Sequence, residues 1–308
     1  MSQHRASHPG PSHGEGHGRQ HGHGHHDHTH LDWSEMAPLL ERQAEIASPA
    51  YAEAAAWLGT LAPVQGVRRI LDVGSGPGVV TSLLAEAFPA AETVAVDGTP
   101  ELLARAQARA EARGLGARVS TLHAELPEGI GTLGRADLIW AGNSLHHMGD
   151  QSAALAEFAG ILNPGGLMVL VEGGLPTRHL PWHIGMGRPG LEARLDAANA
   201  DWFGEMRADL PGAKEERDDW RALLAGAGLT PAGTRTFLTD VPAPVSPAVR
   251  ELALAHYERL RDGLGARLDA DDKETLDRLL DPADELSLHH RRDLFHLTAR
   301  TVHTARKG

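Results

Sequence analysis

The chain has 308 residues, enough for one large domain with insertions or a domain plus a smaller cap. Its 41 acidic residues outweigh 29 basic ones, a net charge of −12, and this argues against DNA or RNA as the main partner. It has no cysteine, which excludes disulfides, thiolate metal sites and cysteine nucleophiles. No apolar run approaches the length of a membrane-spanning helix, and the polar N-terminus lacks a signal-peptide core, so the expectation is a cytoplasmic protein with no membrane partner. Arginine supplies nearly all the basic residues, and Ala and Gly are abundant, a bias that suggests a high-GC bacterial genome.

Residues 1–31 form a histidine-rich tail. Residues 1–30 hold ten of the twenty histidines, with Gly and Ser between them and no large apolar residue after Met1. Such a segment cannot bury enough surface to offset its ordering entropy, so disorder is expected. Its irregular spacing fixes no metal geometry, and the expectation is adventitious binding of divalent metal rather than a built site.

From Asp32 to Ile46 the pattern reads as an amphipathic helix, and Ser48-Pro49 opens a second that runs through Tyr51 and Trp57 to Leu61. Together, 32–65 reads as an N-terminal helical cap. From Arg68 strands alternate with helices. Strands are predicted at 68–73, 92–97, 117–122, 136–141 and 166–172, with helices near 78–88, 99–113 and 150–162. Alternation of this kind calls for parallel strands joined by right-handed crossovers. Residues 174–190 read as a loop rich in Gly, Pro and His. Helices follow near 191–208 and 216–226, then a strand at 232–240. Further helices are expected at 248–263 and 271–280, and a last strand at 293–304. The domain reading is therefore a core over 66–241 carrying a helical insertion at 174–210, an inserted cap at 242–290, and a final core strand in 291–308.

Ile70-Leu71-Asp72-Val73-Gly74-Ser75-Gly76-Pro77-Gly78 carries the most information: an apolar strand enters three alternating glycines, and a helix follows. Glycine permits positive φ and close approach of a ligand to the backbone. A dinucleotide fingerprint would place its third glycine at Val79, and no phosphate-loop lysine is present. Asp97 ends the next strand, where a carboxylate can accept both hydroxyls of a ribose.

These segments resemble the first two motifs of class I S-adenosylmethionine-dependent methyltransferases. Ala136-Asp137-Leu138-Ile139-Trp140 and Asn163-Pro164-Gly165-Gly166 resemble that family's fourth strand and the turn before its fifth. The resemblance covers about 66–172. It implies a doubly wound, Rossmann-like seven-stranded α/β sheet, mostly parallel with an antiparallel last strand and helical cap elements, and S-adenosyl-L-methionine as cofactor. It implies that Gly74, Ser75 and Gly76 pass the methionine part, that Asp72 helps hold the amino group, and that Asp97 holds the ribose beside Gly98. Ala124 and Glu125 would flank the adenine; His123 stands where an aspartate is common. Asn143 and Tyr51 are further expected contacts, although an aromatic on a helix also serves as core.

The base, needed only for a protonated nucleophile, is sought in Asn143-Ser144-Leu145-His146-His147-Met148 after the fourth strand. His146 and His147 are the candidates; the rival reading is that they order the loop. Arg178 and His183 are candidates to bind an anionic group on the acceptor, the rival being a solvated loop. In the family the last two strands usually form a hairpin; here about 50 residues separate them, so 242–290, with 32–61 and 174–210, is expected to roof the acceptor pocket. The leading expectation is methylation of a small organic metabolite, at oxygen ahead of nitrogen or carbon. The rivals are an S-adenosylmethionine sensor, a metal-handling protein led by its tail, and a nicotinamide enzyme. A homodimer is left open.

Overall fold

The structure is a computed structural model, and it describes residues 33–308; the histidine-rich tail and the expectations placed on it lie outside the described residues. Two helices, α1 (Trp33–Ile46) and α2 (Ser48–Leu61), precede the alternating segment. That segment runs β1 (Arg69–Val73), α3 (Val79–Ala87), β2 (Glu92–Asp97), α4 (Pro100–Ala112), β3 (Val119–His123), β4 (Ala136–Gly142), α5 (Gln151–Ile161) and β5 (Leu162–Arg178). There follow α6 (Leu191–Ala208), α7 (Trp220–Gly226), β6 (Leu229–Val241), α8 (Pro247–Leu264), α9 (Ala270–Leu280) and β7 (His296–Lys307). No described helix is long and apolar enough to cross a membrane.

The seven strands form one sheet in the order β3-β2-β1-β4-β5-β7-β6. The first five are parallel, and β7 runs antiparallel between β5 and β6. The chain winds outward from β1 to β3, then returns to place β4 on the other side of β1. A crevice opens at such a reversal, beyond the carboxyl ends of the strands.

Successive strand residues face opposite sides of a sheet, and the core divides accordingly. Leu71, Val73, Ile139 and Met168 face a layer that includes α5 and α7. Ile70, Leu138, Trp140 and Val169 face α2 and α3. The α2 residues Ala54, Ala55 and Leu58 are buried in this second layer, so α2 is a core helix and the expected N-terminal cap reduces to α1. Three helices are capped by an acidic side chain: the carboxylates of Asp150, Asp219 and Asp269 each accept the N–H three residues on.

One expectation is corrected. The strand predicted at 166–172 extends to Arg178, well into the predicted loop. Its far end pairs with β7, Gly174 opposite Arg300 and Leu175 opposite Ala299. The bulge is absorbed by Gly173 and Gly174, both at positive φ; a Cβ on Gly174 would lie 2.2 Å from the Ala299 carbonyl. The two inserted segments form one lobe. Leu180, Leu191 and Leu195 share one apolar core with Ala253, Tyr257, Leu276 and Leu279. The lobe built from α6, α8 and α9 meets α1, where Arg42 pairs with Glu251 at 2.6 Å.

Candidate active site

A cavity of about 740 Å³ lies at the carboxyl ends of the strands. Gly74, Ser75 and Gly76, Asp97 to Thr99, Glu125, Asn143, Ser144 and His147 line one side. The roof comes from α1 and α2, with Leu40, Gln43, Ala44 and Tyr51. The side chain of Tyr51 meets Trp140 edge-on, ring centres 6.2 Å apart.

The glycine turn is fixed by backbone bonding. Gly74 and Ser75 donate their N–H groups to the Val96 carbonyl, and Gly76 donates to Asp97 Oδ2 at 2.9 Å. Thr99 N–H donates to Asp97 Oδ1 at 3.0 Å. One carboxylate thus ties the turn after β1 to the start of α4. Burial pushes the Asp97 pKa up, against the bonds from Gly76 and Thr99. The three glycines differ in purpose. All have positive φ, but a Cβ on Gly76 would enter open space, whereas one on Gly78 would strike Ala106 of α4 at 2.5 Å. The third glycine is required by helix packing.

Asp72 is buried behind this turn and is not among the lining residues. Its Oδ2 accepts the Thr81 hydroxyl at 2.6 Å. Burial pushes its pKa up to about 7, with the Thr81 bond opposing and the Asp97 charge adding. The folded value stands above that of an unfolded aspartate, near 4. The folded chain therefore keeps a proton that the unfolded chain releases, and stability falls as pH rises through the window from about 4 to 7. Asp72→Asn is expected to flatten that slope: calorimetric melting should give a higher Tm than wild type at pH 8 and little change near pH 4. The same shift at both pH values would contradict it.

His147 lines the cavity; His146 does not. The His146 Nδ1 lies 3.0 Å from Glu172 Oε2, and its ring sits 4.2 Å from that of His147. Burial and the neighbouring His146 push the His147 pKa down, against the Glu172 charge. Glu172 also accepts the Leu145 N–H at 3.1 Å, so this carboxylate at the end of the apolar β5 run orders the whole histidine turn. Sequence reading missed it; an acid ending a buried strand was the available signal.

Other placements differ from expectation. Ala124 is buried in the core rather than lining the cavity. Glu125 lines it and lies against Gly98, while His123 Nε2 sits 2.9 Å from the Gly98 carbonyl. Arg178 pairs with Asp196 and lines a separate, smaller cavity of about 270 Å³. His183 is exposed, its Nδ1 accepting the Gly185 N–H at 3.1 Å. Neither reaches the main cavity because β5 carries the chain past it; Thr177, one residue earlier, does line it. No residue of α6, α8 or α9 lines the cavity, so the lobe braces α1 and does not itself roof the space. The wall that sequence reading missed comes from β6 and β7: Phe237, Thr239, His296, Thr298, Arg300 and Val302. Among the described residues, no group of three or more His, Asp or Glu side chains is arranged to hold a metal ion.

Comparison with known proteins agrees with this architecture. Residues 70–166 match the family model of a methyltransferase domain. Trans-aconitate 2-methyltransferase of Methylobacterium radiotolerans is 32% identical over 230 residues, which cover 65% of this chain and 80% of that protein. The enzyme of the same name from Methylobacterium nodulans is 30% identical over 210 residues, covering 64% and 78%. Demethylmenaquinone methyltransferase of Thermus thermophilus is 35% identical over 115 residues, 36% of this chain and half of that protein. The chain belongs to the class I S-adenosylmethionine-dependent methyltransferases.

Proposed function

We propose that this protein transfers the methyl group of S-adenosylmethionine to an oxygen atom of a small organic acceptor. The observation that carries this is one continuous cavity with two chemically distinct ends. At one end are the Gly74–Gly76 turn and Asp97; at the other is the polar face of β6 and β7, with His147 on the lining. The adenosyl end fits the group it would take. Asp97 keeps lone pairs beyond the two backbone bonds it accepts, enough for a ribose diol. The Ser75 and Ser144 hydroxyls are buried without partners on either side of the turn, and Gly76 leaves open space where a Cβ would stand. Glu125 and Gly98 would flank the base, Gly74 and Ser75 the amino-acid part, and Tyr51 would face the roof side with its ring.

S-adenosylmethionine, when bound, supplies an electrophilic methyl on a good leaving group. The protein's own task is alignment and exclusion of water, which α1 and Tyr51 serve from above. A hydroxyl acceptor must also lose its proton, and His147, on the cavity lining, would take it. A cavity of this volume suits a small molecule rather than a nucleic acid, and the relatives named for trans-aconitate and demethylmenaquinone support a small acceptor. The test combines calorimetry and transfer of a labelled methyl group. Binding of S-adenosylhomocysteine together with labelling of an oxygen in a panel of small hydroxyl and carboxyl compounds is expected. Tight binding with no labelling of any compound would support a sensor instead. Preference for NADH over S-adenosylhomocysteine would overturn the reading.

A further inference from the structure

The β6–β7 ribbon extends beyond the parallel part of the sheet, and its inner face is built by alternation. Along β7, His296, Thr298, Arg300 and Val302 all line the cavity. Cross-strand, Arg300 stands opposite Phe237 and Thr298 opposite Thr239. Thr177 at the end of β5 completes the patch. The face changes from apolar at Val302 and Phe237, which pack in the α2 layer, to polar at its far end.

Two features of that polar end call for a ligand. Arg300 is the lone arginine or lysine among the lining residues, and among the described residues no carboxylate pairs with it. Its Nη1 has only long contacts, 3.5 Å to Thr298 Oγ1 and 3.3 Å to the Ala299 carbonyl. Several other arginines that are at least half-buried do meet acids: Arg178 pairs with Asp196, Arg194 with Asp272 and Arg291 with Asp293. Independently, His296 is 4% exposed and its buried Nδ1 has no hydrogen-bond partner. A polar atom removed from water without a partner costs about 1–3 kcal/mol, so a bound group that supplies one is favoured.

The charges of the cavity are also segregated. Of its lining acids, Asp97 ends β2 and Glu125 follows β3, whereas Arg300 is on β7. In the strand order β2 and β7 stand four positions apart, roughly 19 Å at the usual strand spacing.

We infer that Arg300, His296 and the hydroxyls of Thr177 and Thr239 form a subsite for a carboxylate on the methyl acceptor. One guanidinium matches the single charge of a carboxylate and its two oxygens; a phosphomonoester would bring a second charge that nothing in the patch neutralises. The subsite deepens the methyltransferase reading and rests on it.

The test uses the full chain saturated with S-adenosylhomocysteine and matched probes that differ only in one group. One set is 3-hydroxybenzoate, 3-hydroxybenzamide and 3-hydroxyphenyl phosphate; a second is 4-hydroxybutyrate and its amide. Calorimetry is expected to show the acid binding roughly 10- to 100-fold more tightly than the amide in at least one set, the scale of a charge-assisted pair. Arg300→Leu should abolish that difference while leaving S-adenosylhomocysteine affinity and Tm unchanged, since the side chain has no ion-pair partner to orphan. Arg300→Lys should restore part of it. Equal binding of acid and amide in every set, absence of binding by both sets, or survival of the difference in Arg300→Leu would overturn the subsite. Tighter binding of the phosphate would overturn the choice of carboxylate. Failure of wild type to bind S-adenosylhomocysteine would instead remove the methyltransferase reading beneath it.

Discussion

Asp97→Ala is expected to weaken S-adenosylhomocysteine binding by roughly 100-fold or more, because two charge-assisted hydrogen bonds to a ribose would be lost. The structure adds a second consequence. Asp97 accepts N–H groups from Gly76 and Thr99, so the variant also unties the glycine turn from the start of α4. Loss of those bonds should lower stability by about 1–3 kcal/mol, read as a shift of the denaturant midpoint. Asp97→Asn separates the two effects. The amide retains an acceptor oxygen for one of the backbone groups but cannot accept from both ribose hydroxyls through like oxygens. It should recover part of the stability and little of the affinity. Unchanged affinity in Asp97→Ala would remove the ribose from this end of the cavity, whatever happened to stability.

The contrast between Asp97 and Arg300 explains how much of the site could be read in the sequence. The glycine turn and Asp97 are local signals: each sits where an apolar strand ends, and the residues that define the strand are its immediate neighbours. The same holds for the inner parallel strands, which read as mostly apolar runs because helices cover both faces. The β6–β7 wall is different. His296, Thr298 and Arg300 alternate along a strand, but alternation does not say which face meets a cavity; that depends on the register with Phe237 and Thr239, nearly 60 residues earlier. The same non-locality misdirected the choice of Arg178 and His183. Both fall in a segment rich in glycine, proline and histidine, yet β5 continues to Arg178 and delivers it to Asp196. The helices of 242–290 were legible as amphipathic segments, but their partner was not: they bury their apolar faces against α6, and α8 meets α1, which lines the cavity.

Within the histidine pair, the structure divides the roles that the sequence left joined. His147 faces the cavity, and its pKa is pushed down by burial and by His146. A base must be neutral to accept a proton, so a lowered pKa keeps His147 competent to a lower pH than an ordinary histidine. On a hydroxyl acceptor the acid limb of kcat should therefore fall below pH 6.5. His147→Ala is expected to lower kcat by roughly 100-fold or more, the usual scale for a general base, with S-adenosylhomocysteine affinity nearly unchanged. On an acceptor whose nucleophile is already a carboxylate the loss should be much smaller, because there is no proton to remove. Glu172 acts through its neighbours, holding His146 and the Leu145 N–H. Its charge also raises the His147 pKa, so Glu172→Gln should move the acid limb lower still while reducing kcat through a loosened turn. A merely structural glutamate would reduce kcat and leave the limb where it was. An equal fold-loss of kcat for hydroxyl and carboxylate acceptors in His147→Ala would show that the histidine orders the turn and takes no proton.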